Sequence, residues 1–163
     1  ERAEALIGEM EREESTEVKL LLSYPSDSAG GLMTTDYVVA LEEETTRQAI
    51  ETIRAQLEDP DLVYYVYVVD HPDRQRLLGV VSLRDLLLAE PDQSLRSYMR
   101  HDVKTIRPEG KAVEAARLMT EYNLLALPVT TAAGQMLGVV TADDALELLL
   151  PESMKRHVPR LFS

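Results

Sequence analysis

The chain contains no cysteine, so disulfide bonds and zinc sites built on thiolates are excluded. A chain without cysteine suits the reducing cytosol. Long hydrophobic runs are also missing: the longest, LVYYVYVV at 62–69, has eight residues, whereas a membrane-spanning helix needs about 20. The sequence begins at Glu1 without a signal-like segment. We therefore predict a cytosolic chain that does not cross a bilayer and that forms part of a larger protein.

Basic residues are scarce relative to acidic ones. The 163 residues include 17 Lys and Arg against 29 Asp and Glu, which gives a net charge of −12. This sign opposes nucleic-acid binding, which needs basic patches, and favours cations. The end of the chain has the opposite charge: residues 153–163 include Lys155, Arg156 and Arg160 but no Asp or Glu. Such an end suits the cytosolic side of a membrane, although a solvated surface explains any single charged cluster equally well.

Motifs of catalysis are missing as well. His71, His101 and His157 are widely separated, so their spacing does not predict a zinc site. The sequence has neither a glycine-rich phosphate loop nor a nucleophile elbow. We therefore expect that the chain is not an enzyme.

The sequence does contain an internal repeat. Residues 79–85 read GVVSLRD and residues 138–144 read GVVTADD, so both fit Gly-Val-Val-[Ser/Thr]-x-x-Asp. An apolar helical segment follows each copy, LLLAE in the first and ALELLL in the second. A short leader with a methionine precedes each unit, at Met33 and at Met99. The chain is therefore predicted to consist of two similar units.

Strand and helix patterns recur in the same order in both units. The strands that the β-branched and aromatic runs predict are 37–41, 63–69, 77–82, 103–106, 126–130 and 136–141. Amphipathic helices are predicted at 46–58 and 111–122. Each unit is therefore β-α-β-β-α, and one such unit alone leaves a sheet face bare. We predict an α/β (α+β) fold in which two units pack with pseudo-twofold symmetry, and the resulting disc pairs again into a homodimer.

The repeat resembles the CBS motif, and the pair of units resembles a CBS module over roughly 32–150. Two stretches indicate a particular group of CBS proteins: YPSDSAGGLMT at 24–34, and VYYVYVVD with LLGVVSLRD within 63–85. Both are similar to the cytosolic region of MgtE-type magnesium channels and transporters. The resemblance implies five parts. They are a remnant of an N-terminal helical domain (1–23), a linker (24–36), a first CBS unit (37–92), a second CBS unit (93–150) and the start of a linking helix to a membrane domain (151–163).

The resemblance implies a cleft for an adenine nucleotide, with ATP as a candidate ligand. The matching positions are Tyr65, Arg84, Asp85, Leu124 and Pro128. Tyr65 would stack on adenine, Arg84 would meet phosphate, and Asp85 would accept hydrogen bonds from ribose. Leu124 stands where the family often has an aromatic residue, which weakens the stacking. Asp85 also suits the first turn of a helix capped by Ser82, so a structural role for it stays open.

The resemblance also implies Mg2+ binding at Gly30, Asp144, Glu147 and Glu152. Gly30 would offer its carbonyl, and Asp144 and Glu147 share one helix face because they are three residues apart. Mg2+ retains water and needs few carboxylates. The alternative is a solvated acidic helix face. Lys111 and Asn123 stand where the family often has acids, so we expect fewer or weaker Mg2+ sites.

These features predict the cytosolic regulatory part of a magnesium transporter or channel, at the cytoplasmic face of the cell membrane. It would sense intracellular Mg2+ and gate a pore in the membrane domain of the same polypeptide, outside this chain. Bound Mg2+ would neutralise acidic surfaces, compact a homodimer and close the pore. Three alternatives are an adenine-nucleotide-sensing CBS module of another cytosolic protein, a purely structural dimerisation module and an enzyme. Nucleic acid is not among the expected partners.

Overall fold

The computed structural model describes residues 23–56 and 63–150. The linking helix predicted at 151–163, Glu152 within it, and the helical remnant predicted at 1–23, apart from Ser23, lie outside the described residues. The elements in chain order are α1 (Ala29–Leu32), β1 (Val38–Leu41), α2 (Thr46–Gln56), β2 (Tyr65–Val69), β3 (Leu77–Ser82), α3 (Leu83–Leu88), a 3-10 turn (Leu95–Ser97), α4 (Ala112–Tyr122), β4 (Ala126–Thr130), β5 (Met136–Thr141) and α5 (Ala142–Leu149).

The strands form one sheet in each unit. In the first sheet β1 lies parallel to β2, and β2 lies antiparallel to β3. In the second sheet β4 lies antiparallel to β5. The register shifts at equivalent places, between Val68 and Val69 in one hairpin and between Val129 and Thr130 in the other. Strands β3, β4 and β5 have the predicted bounds, whereas β2 begins at Tyr65 and not at 63.

The strand predicted at 103–106 is reduced to a single residue, so that prediction is wrong in extent. Ile106 makes an isolated parallel bridge to Val129, with its N–H donating to the Pro128 carbonyl at 3.0 Å. This is the place that β1 takes beside β2, so the two units keep the same topology. Before Ile106, residue 100 is paired with Val80 of β3. The chain must then cross to β4, and we call residues 100–106 the crossing segment.

Each unit has its own hydrophobic core, and a third cluster joins the two. Along β2 the side chains alternate, so Val66 and Val68 face the core of the first unit while Tyr67 and Val69 face away from it. Tyr67 and Val69 pack against Met136 and Val139 of β5. The two sheets are therefore buried against each other. This packing covers the sheet face that a single unit would leave exposed.

Each leader, the short segment with a methionine that precedes a unit, packs into the other unit. Met33, which precedes the first unit, lies in the core of the second, and Met99 lies in the core of the first. The backbone of Thr34 exchanges two hydrogen bonds of 2.9 Å with Val139. Arg100 likewise exchanges hydrogen bonds of 2.9 and 3.0 Å with Val80. Each leader thus closes the sheet of the opposite unit, which ties the two units into one fold.

Candidate functional site

A cavity of about 220 Å3 opens between the two units, and we call it the inter-unit cleft. Strands β2 and β3 and the start of α3 form one wall, lined by Tyr65, Tyr67, Val80, Ser82 and Asp85. The end of α4 and β4 form the opposite wall, lined by Tyr122, Asn123, Leu124, Ala126 and Pro128. The crossing segment adds four residues, Arg100, Asp102, Val103 and Lys104.

The cleft brings together four of the five residues that the resemblance implies for a nucleotide. Tyr65, Asp85, Leu124 and Pro128 line it. Arg84 is exposed and is not among the lining residues. Successive side chains on a helix point about 100° apart, so when Asp85 faces the cleft its neighbour Arg84 faces elsewhere. Leu124 is half-buried and contributes apolar surface in place of an aromatic ring.

Asp85 has a structural role as well as a place in the cleft. Its backbone N–H donates to Ser82 Oγ at 3.1 Å, and its Oδ2 accepts from the Ser82 backbone N–H at 3.3 Å. This capping box satisfies two donors at the start of α3. Arg100 lies 3.9 Å from the same Oδ2. Oδ1 has no hydrogen-bond partner in the described part of the chain, so the cap leaves one carboxylate oxygen available to a ligand.

Two tyrosines of β2 form the floor and one wall of the cleft. The Tyr65 hydroxyl accepts from the Leu125 backbone N–H at 3.3 Å, which links β2 to the end of the second unit's helix α4. Tyr67 is 2 % exposed, and its hydroxyl has no hydrogen-bond partner within the described ranges. Burial raises the pKa of Tyr67, so the hydroxyl stays neutral and keeps its proton.

Sequence reasoning missed the charged residues of the crossing segment. The Lys104 ammonium donates to both Asp102 carboxylate oxygens, at 2.9 and 3.0 Å. It also lies 4.7 Å from the centroid of the Tyr122 ring. The hydrogen bonds that Lys104 donates to Asp102 raise the pKa of Lys104, so Lys104 is a cation at neutral pH. Lys104 fell on the strand predicted at 103–106, and Arg100 and Asp102 precede that strand; none of the three was assigned a partner or a cavity from the sequence.

The residues implied for Mg2+ are only partly brought together. Asp144 and Glu147 of α5 line a second cavity of about 470 Å3, facing the linker at Gly31, Leu32, Met33 and Thr34. Asp144 Oδ2 accepts from the Thr141 hydroxyl at 2.9 Å, which fixes its orientation. Gly30 is buried and does not line this cavity, and a Cβ there would lie 2.5 Å from the Tyr24 ring.

The second cavity suits a hydrated cation better than a tightly caged one. Within 23–56 and 63–150, His, Cys, Asp and Glu side chains do not gather in groups of three or more that could hold a metal ion. Two carboxylates, Asp144 and Glu147, with water and backbone oxygens match the usual demand of Mg2+. The residues present therefore fit a site that keeps much of the ion's water.

Lys111, which stands where the family often has an acid, pairs with the linker. Its ammonium lies 3.0 Å from Asp27 Oδ2. Beside it, the Ala112 N–H donates to the Asp27 carbonyl at 2.8 Å, and the Ala29 N–H donates to the Gly110 carbonyl at 2.7 Å. The hydrogen bond from Lys111 lowers the pKa of Asp27. Two backbone hydrogen bonds and an exposed ion pair therefore join the linker to the second unit.

Comparison with known proteins identifies the fold. Residues 29–92 and 95–151 match the CBS domain family. The chain is a member of the CBS domain family. It is 40% identical over 137 residues to the magnesium transporter MgtE of Thermus thermophilus, a match that covers 84% of this chain and 30% of that protein. The tandem CBS pair predicted from the repeat is therefore confirmed.

Solved structures give the same family. The soluble part of a magnesium transporter superimposes with a TM-score of 0.79 and 34% identity, covering 84% of this chain and 53% of that one. The cytosolic domain of the Mg2+ channel MgtE in complex with ATP superimposes with a TM-score of 0.77 and 40% identity, covering 82% and 53%. The chain thus resembles cytosolic parts of MgtE across most of its length, and it spans about a third of its curated MgtE relatives.

The three curated relatives that match 84–90% of this chain are magnesium transporters. An inosine-5'-monophosphate dehydrogenase of Korarchaeum cryptofilum matches 43% of this chain and 15% of that enzyme. In the part of the chain that the structure describes, each helix is too short or too polar to cross a membrane.

Proposed function

We propose that the chain is the cytosolic regulatory part of a magnesium transporter or channel, at the cytoplasmic face of the cell membrane. In this proposal it senses Mg2+ and gates a pore in another part of the polypeptide, and it catalyses no reaction. The observation that carries the proposal is the 34–40% identity to cytosolic parts of magnesium transporters over both units and the linker. The acidic face of α5 turned toward the linker supports it.

The proposed switch is electrostatic. Asp144 and Glu147 bring two negative charges to a cavity whose other wall is the linker. Two charges a few ångströms apart near a protein surface repel by roughly 1–4 kcal/mol. Mg2+ in this cavity would remove that repulsion and hold α5 against the linker. Gly30, through its carbonyl, and Glu152 remain proposed ligands. The ion shifts the equilibrium only by its preference for the compact state.

A homodimer is part of the proposal. The last helix of each unit exposes leucines: Leu87 and Leu88 of α3 are 82% and 78% exposed, and Leu146 and Leu149 of α5 are 62% and 49% exposed. Apolar side chains that lie together on a surface mark an interface. Because α3 and α5 hold equivalent positions in the two units, a second copy related by a twofold axis can cover both.

A second candidate function is the binding of an adenine nucleotide in the inter-unit cleft. Tyr65 offers a ring, and Leu124, Ala126 and Pro128 offer apolar walls. Asp85 offers the free Oδ1 that can accept hydrogen bonds from a diol. The MgtE cytosolic domain solved with ATP has the same fold and 40% identity to this chain. Such binding would add a second input to the same regulatory module.

Thermal melting with added ligand tests both functions. A ligand at about 100 times its dissociation constant adds about 2.7 kcal/mol of stability. Millimolar MgCl2 is expected to raise the melting temperature of the wild type, and the double variant Asp144→Asn with Glu147→Gln is expected to lose most of this rise. The matched control is Glu51→Gln with Glu90→Gln, which removes the same charge from exposed positions outside the second cavity.

The outcomes separate the candidates. An equal loss of the Mg2+ response in both double variants would mean that the response reports net charge, and the α5 site would be rejected. If MgCl2 does not raise the melting temperature of the wild type, the proposal that this chain senses Mg2+ is rejected. A rise with ATP or AMP but not with Mg2+ would favour nucleotide sensing as the main function.

A further inference from the structure

Residues 24–33 of the linker, which we call the entry segment, have a counterpart inside the fold at 90–99. Ala29 stands four residues before Met33, as Leu95 stands four residues before Met99, and Ala29 and Leu95 are both fully buried. Three backbone hydrogen bonds of 2.7–3.0 Å recur at equivalent positions. They run from Ala29 to Gly110, from Gly30 to Pro108 and from Ala112 to Asp27 beside the entry segment, and from Leu95 to Glu44, from Arg96 to Glu42 and from Thr46 to Gln93 beside its counterpart. The entry segment is therefore built into the second unit as its counterpart is built into the first.

The exposed ion pairs beside these hydrogen bonds differ between the two copies. Lys111 pairs with Asp27 of the entry segment at 3.0 Å. In the counterpart, Arg96 pairs with Glu42 and Glu43, at 3.1 and 2.9 Å. Exposed ion pairs contribute little to stability, because water solvates both partners. The features that both copies share, which are the backbone hydrogen bonds and the buried side chains, therefore account for the docking of each segment.

The entry segment is also folded tightly on itself. The Ser28 hydroxyl donates to the Pro25 carbonyl at 2.7 Å and accepts from the Gly31 N–H at 3.2 Å, which caps α1. A Cβ at Gly31 would collide with the Pro25 carbonyl oxygen, and a Cβ at Gly30 would lie 2.5 Å from the Tyr24 ring. Tyr24 in turn packs against the core of the second unit. The entry segment therefore lies on the second unit as a compact turn.

We propose that the entry segment is a permanent part of the second unit, which stays docked with or without a divalent cation and does not act as a hinge. The residues before position 24 and those after position 150 are then both attached to the second unit, and the first unit carries neither end. The linker and α5 face each other across the second cavity. If Mg2+ binds there, which rests on the proposed function, it acts on α5 against a fixed linker.

Hydrogen exchange of backbone amides, measured by NMR on the wild-type chain in EDTA and in millimolar MgCl2, tests the proposal. The reference is the Thr130 N–H, which donates to the Ile106 carbonyl inside the second unit. The Ala29 and Gly30 amides are expected to have protection factors within about tenfold of that reference, because they are exposed only when the second unit opens. The ratio to the reference is expected to be the same in both solutions.

Two variants calibrate the measurement. Gly31→Ala forces the Pro25 carbonyl away, so the protection of the two entry-segment amides is expected to fall more than about tenfold, while that of Leu95 in the counterpart stays constant. Lys111→Gln is the matched control, because it removes the ion pair and keeps the backbone hydrogen bonds. It is expected to change the protection of the same amides by less than about tenfold.

Each contrary outcome overturns the inference for a different reason. Entry-segment amides that exchange about 100-fold faster than Thr130 in EDTA would show that the segment is a hinge. Protection that appears only with MgCl2 would show that docking needs the cation. Loss of protection in Lys111→Gln would show that docking depends on the ion pair and not on the shared backbone hydrogen bonds. If MgCl2 leaves the melting temperature unchanged while the amides stay protected, magnesium sensing is rejected and the docked segment is confirmed.

Discussion

Arg76 and Gln135 lie opposite each other in an antiparallel bridge that joins the two units. Each stands three residues before the glycine of its repeat, Gly79 or Gly138, so the two are equivalent positions. The flanking hydrogen bonds are equivalent too: Leu77 N–H donates to the Gly134 carbonyl and Met136 N–H to the Gln75 carbonyl, both at 3.0 Å. The local twofold axis of the CBS pair therefore passes between Arg76 and Gln135.

The two repeat glycines are expected to tolerate a methyl group unequally. A Cβ at Gly138 would lie 2.7 Å from the Thr34 carbonyl oxygen, which is fixed by its pairing with Val139. A Cβ at Gly79 would first meet the flexible Met99 side chain at 2.8 Å, and the equivalent carbonyl oxygen, that of Arg100, is farther away at 3.0 Å. Overpacking costs about 1–3 kcal/mol, so Gly138→Ala should lower the free energy of unfolding more than Gly79→Ala does in urea denaturation.

The control for the glycine pair is Val113→Ala at a position that is 61% exposed, where we expect a change within about 0.5 kcal/mol. If Gly138→Ala were no more destabilising than this control, the close approach of the leader to β5 would be wrong.

Removal of the Tyr98 hydroxyl is expected to destabilise the protein, whereas removal of the Tyr67 hydroxyl is not. The Tyr98 hydroxyl lies 2.8 Å from Thr46 Oγ1, so Tyr98→Phe should cost about 0.5–1.5 kcal/mol. The Tyr67 hydroxyl is buried without a hydrogen bond to the described residues, so Tyr67→Phe should leave the free energy of unfolding unchanged or raise it by about 1 kcal/mol. Equal losses in the two variants, measured by urea denaturation, would show that Tyr67 has a partner in solution.

The ion pair between Asp27 and Lys111 predicts a defined pH dependence. The pKa of Asp27 is lowered from 3.8 by Lys111, so the folded state favours the ionised carboxylate. The resulting stability is present above the ordinary pKa and is lost as the pH falls through the lowered one. The melting temperature of the wild type should exceed that of Asp27→Asn at pH 7, and the difference should shrink toward pH 2. A difference that stays constant across this range would contradict the ion pair.

Variants at Ser82 and Asp85 are expected to separate the capping of α3 from ligand binding in the cleft. Ser82→Ala removes the N-cap of α3 and should cost about 0.5–2 kcal/mol of stability. Asp85→Asn keeps an amide oxygen that can still accept from the Ser82 N–H, so stability should change little, while adenosine binding weakens. Denaturation and calorimetry on both variants check this. A large stability loss in Asp85→Asn with unchanged adenosine affinity would make Asp85 a purely structural residue.

The repeat and most strands could be predicted from the sequence because their signals are local. The GVV motifs, the valine-rich runs and the apolar faces of α2 and α4 depend on residues within a few positions of one another. The bounds of β3, β4 and β5 were therefore correct. The strand at 103–106 was overestimated because pairing with a neighbouring strand depends on contacts with distant residues, and of these four residues Ile106 alone makes a bridge.

The sequence by itself determined the two units, their order of strands and helices and the acid-rich character of the chain. Only the tertiary structure decided that Arg84 lies outside the cleft while Lys104 lies in it, and that Lys111 pairs with Asp27 at a separation of 84 positions. The physical reason is that local periodicity assigns a side chain to a face of its own element. Which charged group lies against that face depends on how distant segments of the chain pack. These long-range contacts must form together, because only together do they offset the conformational entropy that the chain loses on folding.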